Sequence, residues 1–345
     1  MVEKVAGLVG VEWTPRLMMA RDQQGFDPLM RGVMSENVAV VRKVMAMLET
    51  RDVLLETVNA QNRDGQTPLI LAIESGSPEI TGLLLAEGAD PNARVSGSDD
   101  GISPLELAML KGDSAVVGVL LKNEGITLHE SVIPYATNVE CLLLLLDVAC
   151  ERLQGGALAS VLTTSIERLT GADLVDALTT AIQSGKLTGE NYMELCDMAS
   201  EKLTGEALAS VLSTAIQSGK LNADDCMTLC VMAISKKLTG DDLDYFLSTS
   251  ILDGKLTGDN YMDLCSMANE KLTGSDLAFV VGTAIQSGKP TGDNYMDLCK
   301  IAISIDLPGF DLAYLLRKAI KRGKLTDTQR GELKAMARAN GIVLE

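Results

Sequence analysis

An all-α chain built from stacked helix pairs, an α-solenoid, is the fold class that this sequence predicts, and three observations carry that expectation. The first is a Leu-Thr-Gly punctuation at Leu169, Leu187, Leu203, Leu221, Leu238, Leu256, Leu272, Pro290 (Pro-Thr-Gly), Leu307 and Leu325, strict or in variant form. Its steps alternate between 18 residues and 16 or 17, so the true period is a pair of segments 34 or 35 residues long. Fixed periods of this length are the signature of solenoids and arrays. The second is helical spacing of the apolar residues between marks: Leu208, Val211, Leu212, Ala215 and Ile216 share one helix face. The third is composition. The apolar fraction is 46% but aromatics are only 3%, which suits close-packed short helices better than a β-sandwich.

Each segment carries its own start and stop. In the copy at 203–220, Thr204 stands at the N-cap position with Glu206 in the first turn. Ser218-Gly219-Lys220 closes it, Gly supplying a left-handed C′ position and Lys complementing the dipole. The long member of each pair ends in Ile-Gln-Ser-Gly-Lys or a relative. The short member carries Tyr-Met-x-Leu-Cys at 192–196, 261–265 and 295–299, with 226–230 a variant. A lone helix of about a dozen residues is marginal in water, so each copy must bury its apolar face against the next.

Taken from its start, the chain opens on a leader, 1–21, expected to cap the stack. Ahead of the punctuated array lies different wording. Asp64-Gly65 makes a turn, Thr67 caps a helix whose first position is Pro68, and Gly88 ends the helix after it. Asn62 to Ala72, with Gly-Gln-Thr-Pro-Leu inside it, and Gly88-Ala89-Asp90-Pro91-Asn92 closely resemble the ankyrin repeat. The unit from Asp100, with Ser103-Pro104-Leu105, resembles it too. There Glu106 stands where the family has His, as Ile70 does one repeat earlier. Gly25-Phe26-Asp27-Pro28-Leu29 reads as a degenerate first repeat, followed by an insertion near 49–55, and 133–146 as an irregular fourth. The resemblance covers 22–133 and implies ankyrin repeats over 22–136.

No Pro/Gly/Ser-rich linker follows, so the ankyrin repeats are expected to continue directly into stacked helix-pair repeats over 137–345. Leu142 to Leu146 is too short to span a membrane and is expected to be a helix buried on all sides. Its neighbour Ala157–Leu162 copies 207–212. The helix-pair repeats resemble no named family. From 307 the charge reverses: 137–306 hold 24 acids against 11 bases, whereas 307–345 hold 4 against 8. A basic cap is expected there, with Arg317, Lys318, Lys321 and Arg322 as a candidate docking patch.

Chemistry is not written into the chain. The formal charge is −17, which argues against a nucleic-acid partner. Phosphate loops, zinc-peptidase helices and EF-hand spacings do not occur, and neither cofactor nor metal is expected. Cys196, Cys230, Cys265 and Cys299 occupy one slot of the short helix and read as buried apolar residues. An odd number of cysteines without evident pairing fits a reducing cytosol. His129 is the sole histidine. The rival reading is an enzyme with an unrecognised site near it, using Cys, His and Asp residues.

Function is therefore expected to lie in surfaces. The ankyrin resemblance implies a non-catalytic scaffold that binds a protein partner through hairpin tips and first helices. Its exposed motif positions are Arg63, Asp64, Gln66, Glu74, Ser75, Asp99, Asp100, Ile102, Leu110 and Lys111. The chain is expected to be a cytoplasmic monomer without a membrane span. An ankyrin array joined to private repeats is also similar to effectors that intracellular bacteria deliver into host cells, which implies action in the host cytosol.

Overall fold

The computed structural model describes residues 20–48, 50–95, 101–236, 238–253, 255–305, 309–322 and 325–344. Most of the expected N-terminal cap lies outside them, as do Asp99 and Asp100. Every regular element among the described residues is helical, and none is a strand. The chain forms two compact units, Met1–Ala149 and Cys150–Glu345.

In the first unit, helices α1 (Pro28–Met34), α4 (Pro68–Glu74) and α6 (Pro104–Lys111) pack side by side in one row. Helices α2 (Val38–Ala46), α5 (Pro78–Ala86) and α7 (Ser114–Lys122) form the row behind them. The helix starts follow from local chemistry. Asp27, Thr67 and Ser103 each accept the backbone N–H three residues on, at 2.8, 3.3 and 3.3 Å, and Pro occupies the next position each time. The tips before α1 and α4 are the same turn. Asp22 and Asn62 each accept two backbone N–H groups with a side-chain oxygen, and Gly25 and Gly65 take positive φ.

The sequence insertion near 49–55 forms a further helix, α3 (Arg51–Val58), capped by Thr50. It is fastened to the next repeat by an Arg51–Glu87 ion pair of 2.7 Å and by Asn59, which donates to Gly88 O and accepts from Asp90 N. Asn92 repeats that device one unit later, bridging Gly125 O and Thr127 N. Where a fourth repeat was expected, a 3-10 turn, η1 (Glu130–Tyr135), packs on α6, and α8 (Val139–Arg152) follows. Pro134 inside η1 denies it a continuing α-helical ladder. The Leu run of α8 is not buried all round: Leu142, Leu145 and Leu146 are buried, Leu143 and Leu144 half-buried.

Helices α9 (Gly155–Ile166), α10 (Gly171–Gln183), α11 (Gly189–Lys202), α12 (Gly205–Gln217), α13 (Ala223–Lys236), α14 (Gly240–Asp253), α15 (Gly258–Lys271), α16 (Gly274–Ser287), α17 (Gly292–Ser304), α18 (Gly309–Lys321) and α19 (Asp327–Ala339) alternate between two rows. The long-type helices α10, α12, α14, α16 and α18 pack on one another in order, and α9, α11, α13, α15, α17 and α19 do likewise. Although Ala157–Leu162 copies α12, α9 stacks on α11 in the short row. Position in the alternation decides the row; the shared wording reflects a shared demand for a small-residue apolar face.

One expectation about the helix ends is corrected. Thr204 stands at the N-cap of α12, but its side chain makes no cap hydrogen bond. Gly205, which follows it, takes φ +56. Trailing lysines of other copies also reach a neighbouring helix end. Lys255 Nζ donates to Gly219 O, just past the end of α12, at 2.8 Å, and Lys289 Nζ to Ile251 O and Leu252 O of α14 at 3.2 and 3.1 Å. In the short row Lys202 does the same for Ile166 O and Glu167 O. Each lysine thus satisfies carbonyls that a helix end leaves open, and joins repeat to repeat.

In three of the short helices a Tyr ties the helix to the long helix before it. Tyr192, Tyr261 and Tyr295 are fully buried, and their hydroxyls donate to Ile182 O, Ile251 O and Ile285 O at 2.9, 3.2 and 2.8 Å. Cys226 holds this slot in the remaining copy. Cys196, Cys230, Cys265 and Cys299 are buried one turn further along, where burial pushes each thiol up to about 12.

Candidate functional site

The residues read from sequence as a binding rim occupy the tips and the exposed ends of α4 and α6. Arg63 and Asp64 are exposed at the turn, and the Arg63 N–H donates to Gln24 O of the previous tip at 3.2 Å. Gln66 is committed internally. Its amide donates to both Glu74 oxygens at 2.8 and 2.9 Å and accepts from Asn62 Nδ2 at 2.9 Å. Gln66 and Glu74 are thus brought together, and the pair fixes the tip against the helix. Ser75 donates to Ala72 O. Ile102 is half-buried, its carbonyl accepting from Val95 N at 3.1 Å.

Leu110 and Lys111 are exposed at the end of α6. Leu110 is an apolar side chain left 49% in water. The same slot, seven residues beyond the cap, holds Glu74 in α4 and Met34 in α1. Met34 is 46% exposed. Sequence reasoning missed it, although the shared spacing from Asp27, Thr67 and Ser103 was there to be read. Because α1, α4 and α6 lie in one packed row, Met34, Glu74 and Leu110 form a line across three repeats.

Each tip behind this line is braced differently. In the first, Arg31 pairs with Asp22, donates to Gln24 Oε1 at 3.0 Å and lies 4.3 Å from the centre of the Phe26 ring. In the third, the buried Glu106 fills the place of the family His. Its carboxylate accepts from Ser103 N at 2.8 Å, closing a capping box, and pairs with Arg94 at 3.4 Å. The lost histidine network is therefore replaced by an ion pair and a helix cap.

The basic patch lies on α18. Lys321 and Arg322 are exposed, Arg317 reaches Val343 O at 3.4 Å, and the Lys318 ammonium lies 5.3 Å from the Tyr314 ring centre. His129 is an exposed cap: its Nδ1 accepts from Ser131 N at 3.2 Å. Cys141 and Cys150, the thiols nearest to it in sequence, are buried, and burial raises the Cys141 thiol. Among the described residues no group of three or more His, Cys, Asp or Glu side chains is placed to hold a metal ion. None of their helices is long and apolar enough to cross a membrane.

Residues 29–131 match the family model for ankyrin repeats, in three copies. That stretch of the chain carries ankyrin repeats. Relatives agree. Over 84 residues the chain is 44% identical to NF-kappa-B inhibitor alpha of Sus scrofa, covering 24% of this chain and 26% of that protein. It is 35% identical over 104 residues to the ANK repeat-containing protein nipk-1 of Caenorhabditis elegans, covering 29% and 17%. The human NF-kappa-B inhibitor alpha matches at 44% over 69 residues, covering 20% and 21%. The chain thus spans about a quarter or less of these relatives' length.

Proposed function

We propose that the ankyrin repeats dock a partner protein along the line Met34, Glu74, Leu110 and the tips beside it. The contact set is Arg63, Asp64, Gln66, Glu74, Ser75, Asp99, Asp100, Ile102, Leu110 and Lys111, with Met34 added. One observation carries this reading: two large apolar side chains stand exposed at equivalent positions of a packed helix row, flanked by polar tips. Anchors of that kind, rimmed by polar groups, are what a protein partner desolvates. That two relatives are named as inhibitors of NF-kappa-B supports a protein rather than a small molecule as ligand.

In this reading the chain is a scaffold and not an enzyme, with ankyrin repeats over 22–136 and a helical array over 137–345 that ends in a basic cap. It acts in the cytosol as a monomer. Delivery into a host cell, as for effectors of intracellular bacteria, is supported by likeness of architecture. The test is capture from lysate by the full chain and by two variants, Met34→Asp with Leu110→Asp, and Arg63→Glu with Asp64→Lys. Both should lose the captured protein by roughly tenfold or more, the size of a hot-spot loss, with little change in melting temperature because the side chains are exposed. Undiminished capture by both variants overturns the reading.

A further inference from the structure

The long helices of the array carry an aromatic column. Tyr245 of α14, Phe279 of α16 and Tyr314 of α18 hold the same slot, and they are 56%, 57% and 47% exposed. The chain has few aromatics, and spending three of them on water needs a reason. The preceding long helix, α12, has Ser210 in that slot. The change from ring to hydroxyl opens a groove of about 370 Å³ between α12 and α14.

The walls of the groove define what it suits. Tyr245 forms one side, and Glu206, Asp241 and Asp242 supply carboxylates. None of these three acids is in an ion pair among the described residues. Beside them Asp244 has its carboxyl raised by burial first and then by repulsion from Asp276, Asp241 and Asp242, so the local field is negative and unbalanced. Ser213 also lines the groove, 3% exposed, with its hydroxyl unpaired. A buried hydroxyl without a partner is uncommon and calls for explanation.

We propose that this groove takes an arginine side chain from a basic peptide segment of a partner protein, and that the segment runs on from it across Phe279. A guanidinium is planar, stacks on an aromatic face and offers several N–H donors to carboxylates and a hydroxyl at once. The column itself shows the chemistry, since on Tyr314 the chain's own Lys318 already sits over the ring. That end of the column also carries Arg317, Lys321 and Arg322, which repel a cation and confine a basic segment to the α12–α16 end. Packed helices lie roughly 8–10 Å apart, and an extended chain advances about 3.3 Å per residue. Side chains three residues apart therefore reach successive rungs. This surface is separate from the ankyrin line.

The test is fluorescence anisotropy with the full chain and a labelled Gly/Ser peptide carrying arginine at every third residue. The control peptide has citrulline, which keeps the planar shape and three of the five N–H donors but not the charge. The arginine peptide should bind saturably and weaken with salt, and citrulline should bind roughly tenfold or more weakly. Tyr245→Phe should retain affinity, while Tyr245→Leu and the pair Asp241→Asn with Asp242→Asn should each lose roughly tenfold. Equal binding of the citrulline peptide, or full affinity in Tyr245→Leu, would show a neutral or merely apolar groove and overturn the proposal. Absence of saturable arginine-peptide binding at millimolar concentration overturns it as well.

Discussion

Replacing Tyr192, Tyr261 and Tyr295 together by alanine should unfold the helical array. Each ring is fully buried, and removing a buried ring of this size costs about 3–5 kcal/mol. Three such losses reach roughly 9–15 kcal/mol, which matches or exceeds the whole stability of an ordinary domain, about 5–15 kcal/mol. The hydroxyl is the smaller part of this. Ile182 O also accepts from Gly185 N at 3.3 Å, so Tyr192→Phe leaves that carbonyl partnered and should cost only about 0.5–1.5 kcal/mol. Chemical denaturation followed by circular dichroism separates the two effects. A triple alanine variant as stable as the wild type would show that the rings carry no packing.

Alkali should have an effect of similar size. The thiols of Cys196, Cys230, Cys265 and Cys299 stand at about 12 in the fold, against 9.0 for an ordinary thiol. A raised pKa means that the folded state holds its proton more tightly. The stabilisation is therefore complete below pH 9, where neither state has ionised, and is lost as the pH climbs towards 12 because only the unfolded thiols ionise. By pH 10.5 each thiol removes about 2 kcal/mol, and four together on the order of 8 kcal/mol. Tyr261, also pushed to about 12 by burial, adds to the fall at its upper end. Thermal melting across pH 8–11 should show a steep loss, and replacing the four Cys by alanine should flatten it. A curve level to pH 11 would contradict the burial of these thiols.

Much of this was legible in the sequence because repetition is redundant. The Leu-Thr-Gly marks fall where helices begin, the Ser-Gly-Lys runs where they end, and the cysteine slot is buried in every copy. What could not be read was contact between copies. The reach of Lys255 and Lys289 to a preceding helix end was not legible, because only stacking brings that end near. Likewise α9 carries the wording of one row and the place of the other. The Glu106–Arg94 pair was hidden because the two stand 12 residues apart in sequence. Tyr245, Phe279 and Tyr314 did carry a signal, their spacing of 34 and 35 residues. Single aromatic residues at helical positions read as core, and only exposure separates them from it.

The central claim is that a partner is met by the row α1, α4, α6. Photo-crosslinking tests it most directly. A photoreactive amino acid is placed in the full chain at position 34, at position 110 or, as an exposed control on α13, at position 231. The captured partner should crosslink from positions 34 and 110 and not from 231. Crosslinking from 231 with none from 34 or 110 would place recognition on the helical array and contradict the account.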